Sequence, residues 1–161
     1  MWIMPQLVRY AAEHAEPILR WPARAHNVAW WFGLTGDEKA DRSRLDRWLA
    51  EEGNDSYILL DATTPIGYGE LWREPDEVEL AHLMVDPRRQ GQGFGARLVR
   101  ELTALARQDP DADIFLRVQP DNAVAISCYR RCDYVRMSPR EEAEFNAGQP
   151  QRYVWMRPST R

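Results

Sequence analysis

A glycine-rich segment, Gln90-Gly91-Gln92-Gly93-Phe94-Gly95-Ala96, constrains the fold of this chain more than any other feature. It follows an apolar segment at residues 78–85 that predicts a β-strand, and it opens an amphipathic helical pattern extending to Gln108. One face of that pattern carries Leu98, Leu102, Leu105 and Ala106. The first turn of a helix presents unpaired N–H groups and about half a positive charge, and glycine lets the backbone approach an anion closely. The sequence therefore predicts a phosphate site at this junction, with Arg88 and Arg89 adding charge-assisted contacts.

Other interpretations of the glycine segment are weaker. Glycines at this spacing also suit a tight turn and close helix packing, and the segment alone leaves that interpretation open. A nucleoside-triphosphate P-loop ends in Gly-Lys-Ser/Thr, whereas Gly95 is followed here by alanine and arginine, which excludes it. The dinucleotide fingerprint is a closer rival, because Gly91, Gly93 and Ala96 fit its G-x-G-x-x-G/A pattern. That fingerprint needs an acidic residue at the end of the next strand, but the next strand here ends in Arg117-Val118-Gln119. It also belongs to repeated parallel βαβ units, whereas the strands before this segment are predicted to form hairpins.

Hydrophobic periodicity along the whole chain predicts a mixed α/β (α+β) fold. Strand patterns occupy Leu7–Tyr10, Ser56–Asp61, Ile66–Trp72, Val78–Val85, Ile114–Val118, Tyr134–Met137 and Arg152–Met156. Helical patterns occupy Ala11–Trp21, which Pro17 interrupts, Asp37–Glu52, Gly93–Gln108 and Asn122–Arg131. Short turns at residues 63–65 and 74–76 predict an antiparallel meander. Because a helix precedes the strand at 114–118, we expect that strand to run parallel to the one at 78–85.

Composition narrows the classes of function. A chain of 161 residues fits a single domain, 1–161, and a net charge of −4 argues against nucleic-acid binding while weakly favouring cationic partners such as amines. We find no apolar run of the ~18 residues that a membrane span needs and no signal peptide, so we expect a cytoplasmic protein without a membrane partner. Cys128 and Cys132 are expected to be buried, reduced thiols, and no metal site is predicted.

The segment from Leu83 to Ala96 resembles the acetyl-CoA motif of the GNAT N-acetyltransferase superfamily. That motif, Q/R-x-x-G-x-G/A, is met by Gln90, Gly93 and Gly95. The second signature of the superfamily is met by Asn122, Ala125 and Tyr129. The resemblance is specific over residues 78–135. It departs from the family at Asp133, where glycine is usual, but aspartate tolerates left-handed geometry.

The resemblance implies an acetyl-CoA-dependent enzyme with a central parallel pair of strands that splay around the cofactor. The residues implied in cofactor binding are Leu83, Met84, Val85, Arg88, Arg89, Gln90, Gly91, Gly93, Phe94, Gly95, Ala96, Asn122 and Tyr129. Tyr129 would protonate the leaving thiolate of coenzyme A or hold its sulfur by hydrogen bonding, although a tyrosine on a helix is also common in a core. Asn122 would bind the pantetheine amide, although asparagine there also suits a helix N-cap. The amine would attack the thioester directly, without a covalent enzyme intermediate.

An ammonium acceptor must lose a proton before it attacks, so a general base is required. Glu79, on the predicted strand at 78–85, is the first candidate, because the resemblance implies a glutamate acting as a base at this position. A surface carboxylate or a member of an ion pair is the alternative interpretation of Glu79. Glu70, on the neighbouring strand, is a candidate for binding a cationic substrate or sharing the base role. His82 titrates near neutral pH but has the opposite strand parity from Glu79, so both face one side only if a bulge intervenes. Trp31 belongs to a tryptophan-rich N-terminal stretch that would either line the acceptor pocket or pack in the core.

The resemblance therefore implies an N-acetyltransferase acting on a primary amine. Four acidic residues around the expected acceptor side, Glu70, Glu74, Asp76 and Glu79, favour a small cationic metabolite or antibiotic such as an aminoglycoside. The loop at residues 145–150 is expected to border that side. The alternatives are a protein or peptide N-acetyltransferase, a non-catalytic coenzyme A-binding module and a dinucleotide oxidoreductase. A homodimer is compatible with the sequence.

Overall fold

The computed structural model describes residues 4–21 and 41–159. The strands in these ranges are β1 (Gln6–Arg9), β2 (Asn54–Asp61), β3 (Thr64–Glu74), β4 (Glu77–Val85), β5 (Asp113–Val118), β6 (Tyr134–Arg136) and β7 (Val154–Pro158). The α-helices are α1 (Ala15–Arg20), α2 (Arg42–Ala50), α3 (Phe94–Ala106), α4 (Ala123–Arg131) and α5 (Pro139–Asn146). Short 3-10 turns lie at Ala12–His14 and Pro87–Arg89.

The described strands form one mixed sheet in the order β1-β2-β3-β4-β5-β7-β6. Strands β1 to β4 are antiparallel neighbours, and tight turns join β2 to β3 and β3 to β4. The crossover through α3 makes β5 parallel to β4, because the chain returns to the same end of the sheet. Strand β7 then enters antiparallel between β5 and β6. The predicted mixed sheet, antiparallel first and parallel in the middle, is confirmed.

Helices cover the two faces of the sheet differently. On one face, Leu98 and Leu102 of α3 and Tyr129 of α4 join the cluster that contains Leu80 and Leu116. On the opposite face, α1 and α2 cover the antiparallel strands, with Ile18, Leu45, Ile58 and Tyr68 in one cluster. Farther along that second face, Phe145 of α5 packs against Phe115 and Trp155. The acidic part of the sheet lies on this second face.

Helix α5 was not predicted. Its start carries a capping box, in which the Ser138 hydroxyl accepts from the Glu141 N–H and the Glu141 carboxylate accepts from the Ser138 N–H. Pro139 occupies the first helical position, where its missing N–H costs nothing. This Ser-Pro-x-Glu pattern is a signal in the sequence from which the helix could have been found. Pro17 does not interrupt α1, because it stands in the first turn of that helix.

Candidate active site

Strands β4 and β5 part at the centre of the sheet. Their parallel ladder extends from Glu77–Asp113 to Leu80–Leu116, whereas β4 continues to Val85. Beyond Leu116, β5 keeps only the ladder to β7 on its other edge. The edge of β4 from residue 81 to 85 therefore faces a gap in the ladder, as the predicted splay of the parallel pair requires.

The glycine segment makes an uncapped helix start next to this gap. Gly91 has a φ of 75° and Gly93 a φ of 87°, a left-handed geometry that favours glycine. Gly93 is the N-cap of α3, and no side chain caps the helix there. A Cβ added at either glycine would meet nothing within 4 Å. The first amides of α3 thus lack a side-chain cap, and the space beside the two glycines is open, an arrangement that suits an anion.

The two neighbouring arginines are already bound by carboxylates. The Arg88 guanidinium lies 2.9 Å from the buried Asp86. Arg89 Nη2 donates to Asp61 over 2.6 Å, and its guanidinium lies 4.9 Å from the centre of the Phe94 ring. Phosphate contacts from either arginine require these ion pairs to open, so the backbone amides are the better prepared anion donors. Gln90 Nε2 donates to the Val85 carbonyl over 3.3 Å.

The remaining residues of the motif pack α3 against α4. Gly95 lies inside the first turn of α3, where an added Cβ would be 3.5 Å from Cys128 Sγ and 3.7 Å from Val85 Cγ2. The Ala96 carbonyl is 3.5 Å from the thiol of Cys132. Both cysteines are free thiols, with Cys132 buried and Cys128 half-buried. Leu83 packs on the α3 face, whereas Met84 turns into the cluster under α1 and α2.

Helix α4 places Asn122 and Tyr129 on the α3 side of the sheet. Asn122 Oδ1 accepts from the Ala125 N–H over 3.2 Å, so the asparagine is an N-cap, as the alternative interpretation predicted. Tyr129 is 9% exposed, and burial raises the pKa of its hydroxyl, which stays protonated at neutral pH. Asp133 adopts a φ of 62°, which is consistent with its replacing the usual glycine of the family.

A β-bulge brings Glu79 and His82 to the same side of β4. Glu70 pairs with Ala81 and Tyr68 pairs with Met84, so β4 has one residue more than β3 between these two rungs. His82 takes up the irregularity with a φ of 49°. Both Glu79 and His82 consequently line one cleft. Their opposite strand parity allows this only because the bulge intervenes.

Glu70 lies beneath the wall of this cleft and is fully buried. Its carboxylate accepts from the Tyr68 hydroxyl, from Trp72 Nε1 over 2.5 Å and, at 2.7 Å, pairs with His82 Nδ1. The His82 ring stacks on Trp48 of α2, with centroids 3.9 Å apart and planes inclined by 10°. Glu70 therefore holds the histidine rather than lining the cleft itself.

Glu79 lies on the cleft wall with 16% of its side chain exposed. Arg117 Nε is 2.9 Å from Glu79 Oε1, but the N–H is not aligned, and this oxygen has no hydrogen bond within the described part of the chain. Burial raises the pKa of Glu79, although Arg117 opposes that shift. Arg117 is itself fixed by Gln149 Oε1 at 2.8 Å and by the rings of Tyr153 and Trp155.

The whole cleft has a volume of about 380 Å³ and combines carboxylates with aromatic rings. Its lining residues are Trp48, Glu51, Trp72, Glu74, Glu77, Glu79, Ala81, His82, Phe115 and Arg117. Four carboxylates face one arginine and one histidine, so the charge of the lining favours a cation.

Sequence reasoning missed several of these lining residues. Trp72 and Glu77 share a face of the sheet with Glu79, and this alternation was the available signal. Nothing local marked Trp48, Phe115 or Arg117, because their neighbours in the cleft are far away in sequence.

Other predicted residues lie elsewhere. The loop expected at 145–150 includes the end of α5 and touches the cleft indirectly, through Gln149 and Arg117. Asp76 lies in the turn between β3 and β4 and does not line the cleft. Trp31 lies outside the described residues. No described helix is long and apolar enough to cross a membrane. In residues 4–21 and 41–159, no group of three or more His, Cys, Asp or Glu side chains is arranged to hold a metal ion.

Comparison with known proteins identifies relatives of this chain. Residues 15–134 match the sequence profile of the Acetyltransferase (GNAT) family. The aminoglycoside N(6')-acetyltransferase type 1 of Klebsiella pneumoniae is 30% identical over 147 residues, which span 80% of this chain and 73% of that protein. The N-alpha-acetyltransferase RimI of Mycobacterium tuberculosis is 33% identical over 111 residues, which span 66% of this chain and 68% of that protein.

Solved structures share the fold. The structure of AAC(6')-Ib in complex with ribostamycin and coenzyme A superposes with a TM-score of 0.75 at 22% identity, over 98% of this chain and 94% of that one. The spermidine N-acetyltransferase of Vibrio cholerae, in complex with coenzyme A and spermine, superposes with a TM-score of 0.67 at 19% identity, over 83% and 82%.

Proposed function

Because this chain belongs to the GNAT acetyltransferase family, we propose that it transfers the acetyl group of acetyl-CoA to a primary amine of a small cationic molecule. One arrangement carries the proposal: an uncapped glycine helix start and a carboxylate-lined cleft flank the gap between β4 and β5. The first feature suits a pyrophosphate and the second an ammonium group.

The glycine segment fits the cofactor. The amides at Gly93, Phe94 and Gly95 would hold the pyrophosphate, with Gly91 and Gly93 leaving the space for it. The backbone of β4 near Leu83 and Val85 would hold the pantetheine arm, because its ladder to β5 has ended there. When bound, acetyl-CoA supplies the thioester carbonyl that an amine attacks.

The cleft on the other face would hold the acceptor. Four carboxylates, Glu51, Glu74, Glu77 and Glu79, would attract an ammonium group, and the rings of Trp72 and Phe115 would pack against its carbon skeleton. Two of the relatives are named for aminoglycosides and spermidine, which are small molecules with several amines. RimI is named for α-amines, so a peptide amine is the second candidate.

Glu79 would act as the general base and Tyr129 as the general acid, on opposite sides of the gap. Glu79 would accept a proton from the attacking nitrogen, because it lies on the cleft wall and burial raises its pKa against the opposing effect of Arg117. Tyr129 would donate a proton to the leaving sulfur, because its hydroxyl is protonated at neutral pH.

Release of free thiol from acetyl-CoA, measured with a panel of amines, tests the proposal. The panel contains spermidine, kanamycin, free lysine and a peptide with a free α-amine. We expect turnover of small polycationic amines and little of the peptide. Preferential turnover of the peptide would support the second candidate. Thermal stabilisation by coenzyme A without thiol release would indicate a binding module, and stabilisation by nicotinamide dinucleotide alone would indicate an oxidoreductase.

A further inference from the structure

A second cavity lies beside α4 and has a volume of about 260 Å³. Its lining comes from α4, β6 and β7 and from the segments that precede α4 and β7. It shares no lining residue with the cleft that contains Glu79, so it is a separate site. The residues that line it are Pro120, Ile126, Arg130, Arg136, Arg152, Val154 and Met156.

Helix α4 separates this cavity from the glycine segment. Cys128 and Cys132 of α4 lie against the first turn of α3. Ile126 and Arg130, which line the cavity, each stand two residues before one of these cysteines, about 200° away around the helix. The cavity is therefore on the opposite side of α4 from the anion site proposed for the cofactor.

Three arginines in the lining carry more charge than their partners cancel. Arg136 and Arg152 share the buried Glu142 of α5, with guanidinium nitrogens 2.5 Å and 3.5 Å from its Oε1 atom. The Arg130 guanidinium makes no ion pair and no hydrogen bond within residues 4–21 and 41–159. Three guanidinium groups against one carboxylate leave two positive charges at this cavity, in a chain whose net charge is −4.

The arginines are also held in place with donors to spare. Arg136 donates to Glu142 through Nε and Nη2, so its Nη1 group has no hydrogen bond within the described chain. Because Arg136 and Arg152 contact the same carboxylate, Glu142 keeps their guanidinium groups close together. Guanidinium groups bind phosphate with two parallel hydrogen bonds, and prior positioning reduces the entropy lost on binding.

The rest of the lining is apolar, and its four residues are Pro120, Ile126, Val154 and Met156. We propose that this cavity binds a small phosphate monoester with a compact apolar body. A phosphate monoester carries a charge of about −2 at pH 7, which matches the two uncompensated positive charges. The apolar body would pack against the apolar side chains, as in ordinary small-molecule sites. The inference does not depend on the proposed function, because it concerns binding alone.

Calorimetric titration with phenyl phosphate, on the protein saturated with coenzyme A, tests the inference. We expect one phenyl phosphate bound per chain. Benzoate should bind more weakly because it carries a single charge, and inorganic phosphate more weakly because it lacks the ring. Phenol, which matches the ring without the charge, should show no measurable binding.

Two variants locate the bound anion. Arg130→Gln and Arg152→Gln should each raise the dissociation constant for phenyl phosphate about tenfold, because each removes a charged donor. Arg140→Gln is the matched control: it removes the same charge from α5, but Arg140 pairs with Glu144 and does not line the cavity. If Arg152→Gln does not fold, Arg130→Gln decides alone, since Arg130 is exposed and its loss breaks no contact within the described chain.

Four results would overturn the inference. The first is the absence of phenyl phosphate binding to the wild-type protein at millimolar concentration. The second is equal weakening in Arg130→Gln and Arg140→Gln, which would indicate a general effect of charge. The third is competition between phenyl phosphate and coenzyme A, which would place the anion in the cofactor site. The fourth is binding of benzoate or inorganic phosphate as tight as that of phenyl phosphate.

Discussion

Arg117 Nε of β5 lies 2.9 Å from Glu79 Oε1 of β4, and the pair bridges the two strands where their ladder ends. The pairing partner of Glu79 in the ladder is Phe115, two residues before Arg117. The carboxylate is therefore tied to the strand that diverges from its own. This contact ties the proposed base to β5, and it opposes the larger effect of burial, which raises the pKa of Glu79.

Loss of the Glu79 carboxylate should abolish most of the activity without affecting cofactor binding. We expect Glu79→Gln to lower kcat by about 10²- to 10³-fold, because the amide cannot accept a proton. The dissociation constant for coenzyme A, measured by calorimetry, should not change. Glu16→Gln, at an exposed ion pair on α1, is the control and should keep wild-type kcat. Equal losses in both variants would argue against a base at this position.

Replacing Arg117 should shift the acidic limb of the kcat/KM profile to higher pH. Arg117 lowers the pKa of Glu79 against the larger effect of burial. In Arg117→Gln this opposition is lost, so the pKa of Glu79 should rise further and the acidic limb of kcat/KM should shift to higher pH. A profile of kcat/KM from pH 5 to pH 9 measures the shift. An unmoved limb would mean that Glu79 does not control the rate.

A negative charge at the N-cap of α3 should block the cofactor. Gly93→Asp adds bulk and charge where the phosphate is expected, so the affinity for coenzyme A should be lost. Gly148→Asp is a matched control, because Gly148 has a φ of 80° and an added Cβ there also meets nothing within 4 Å. Both variants carry the same backbone strain, and only the first faces the predicted phosphate. Calorimetric titration with coenzyme A distinguishes them, and unchanged affinity in Gly93→Asp would refute the assignment of the loop.

Glu142 should contribute to stability in a pH-dependent way. The Arg136 guanidinium, 2.5 Å and 2.7 Å from its two oxygens, holds the pKa of Glu142 below its usual range. A lowered folded-state pKa means that the stabilisation is present above about pH 4.3, the unfolded value, and is lost as the pH falls through the folded-state value. We expect Glu142→Gln to lower the free energy of unfolding by about 1–2 kcal/mol at pH 7, discounted for the half-exposed Arg136.

Urea denaturation at pH 7 and pH 3 measures this contribution. The difference between wild type and Glu142→Gln should shrink at pH 3. Glu144→Gln is the control, because its pair with Arg140 is exposed on the same helix. A difference that stays constant between the two pH values would mean that packing, and not the ion pair, explains the loss.

The amino-acid sequence alone determined the order along the chain of the seven strands and of helices α1 to α4, the parallel pair and the glycine helix start. These features depend on local periodicity and on the conformational freedom of glycine, as at Gly91 and Gly93, so they can be recognised without knowing the partners. The cap at Asn122 was also predictable for this reason. Helix α5 had an equally local signal at Ser138 and Glu141 that was missed.

Only the tertiary structure decided which side chains meet in the cleft. Strand alternation placed His82 opposite to Glu79, and a bulge that depends on the register between β3 and β4 reversed it. Trp48 of α2 and Arg117 of β5 contact His82 and Glu79, respectively, and Glu70 is buried beneath His82. Contacts between residues so far apart in the chain depend on register and packing, which are properties of the whole sheet and not of any segment.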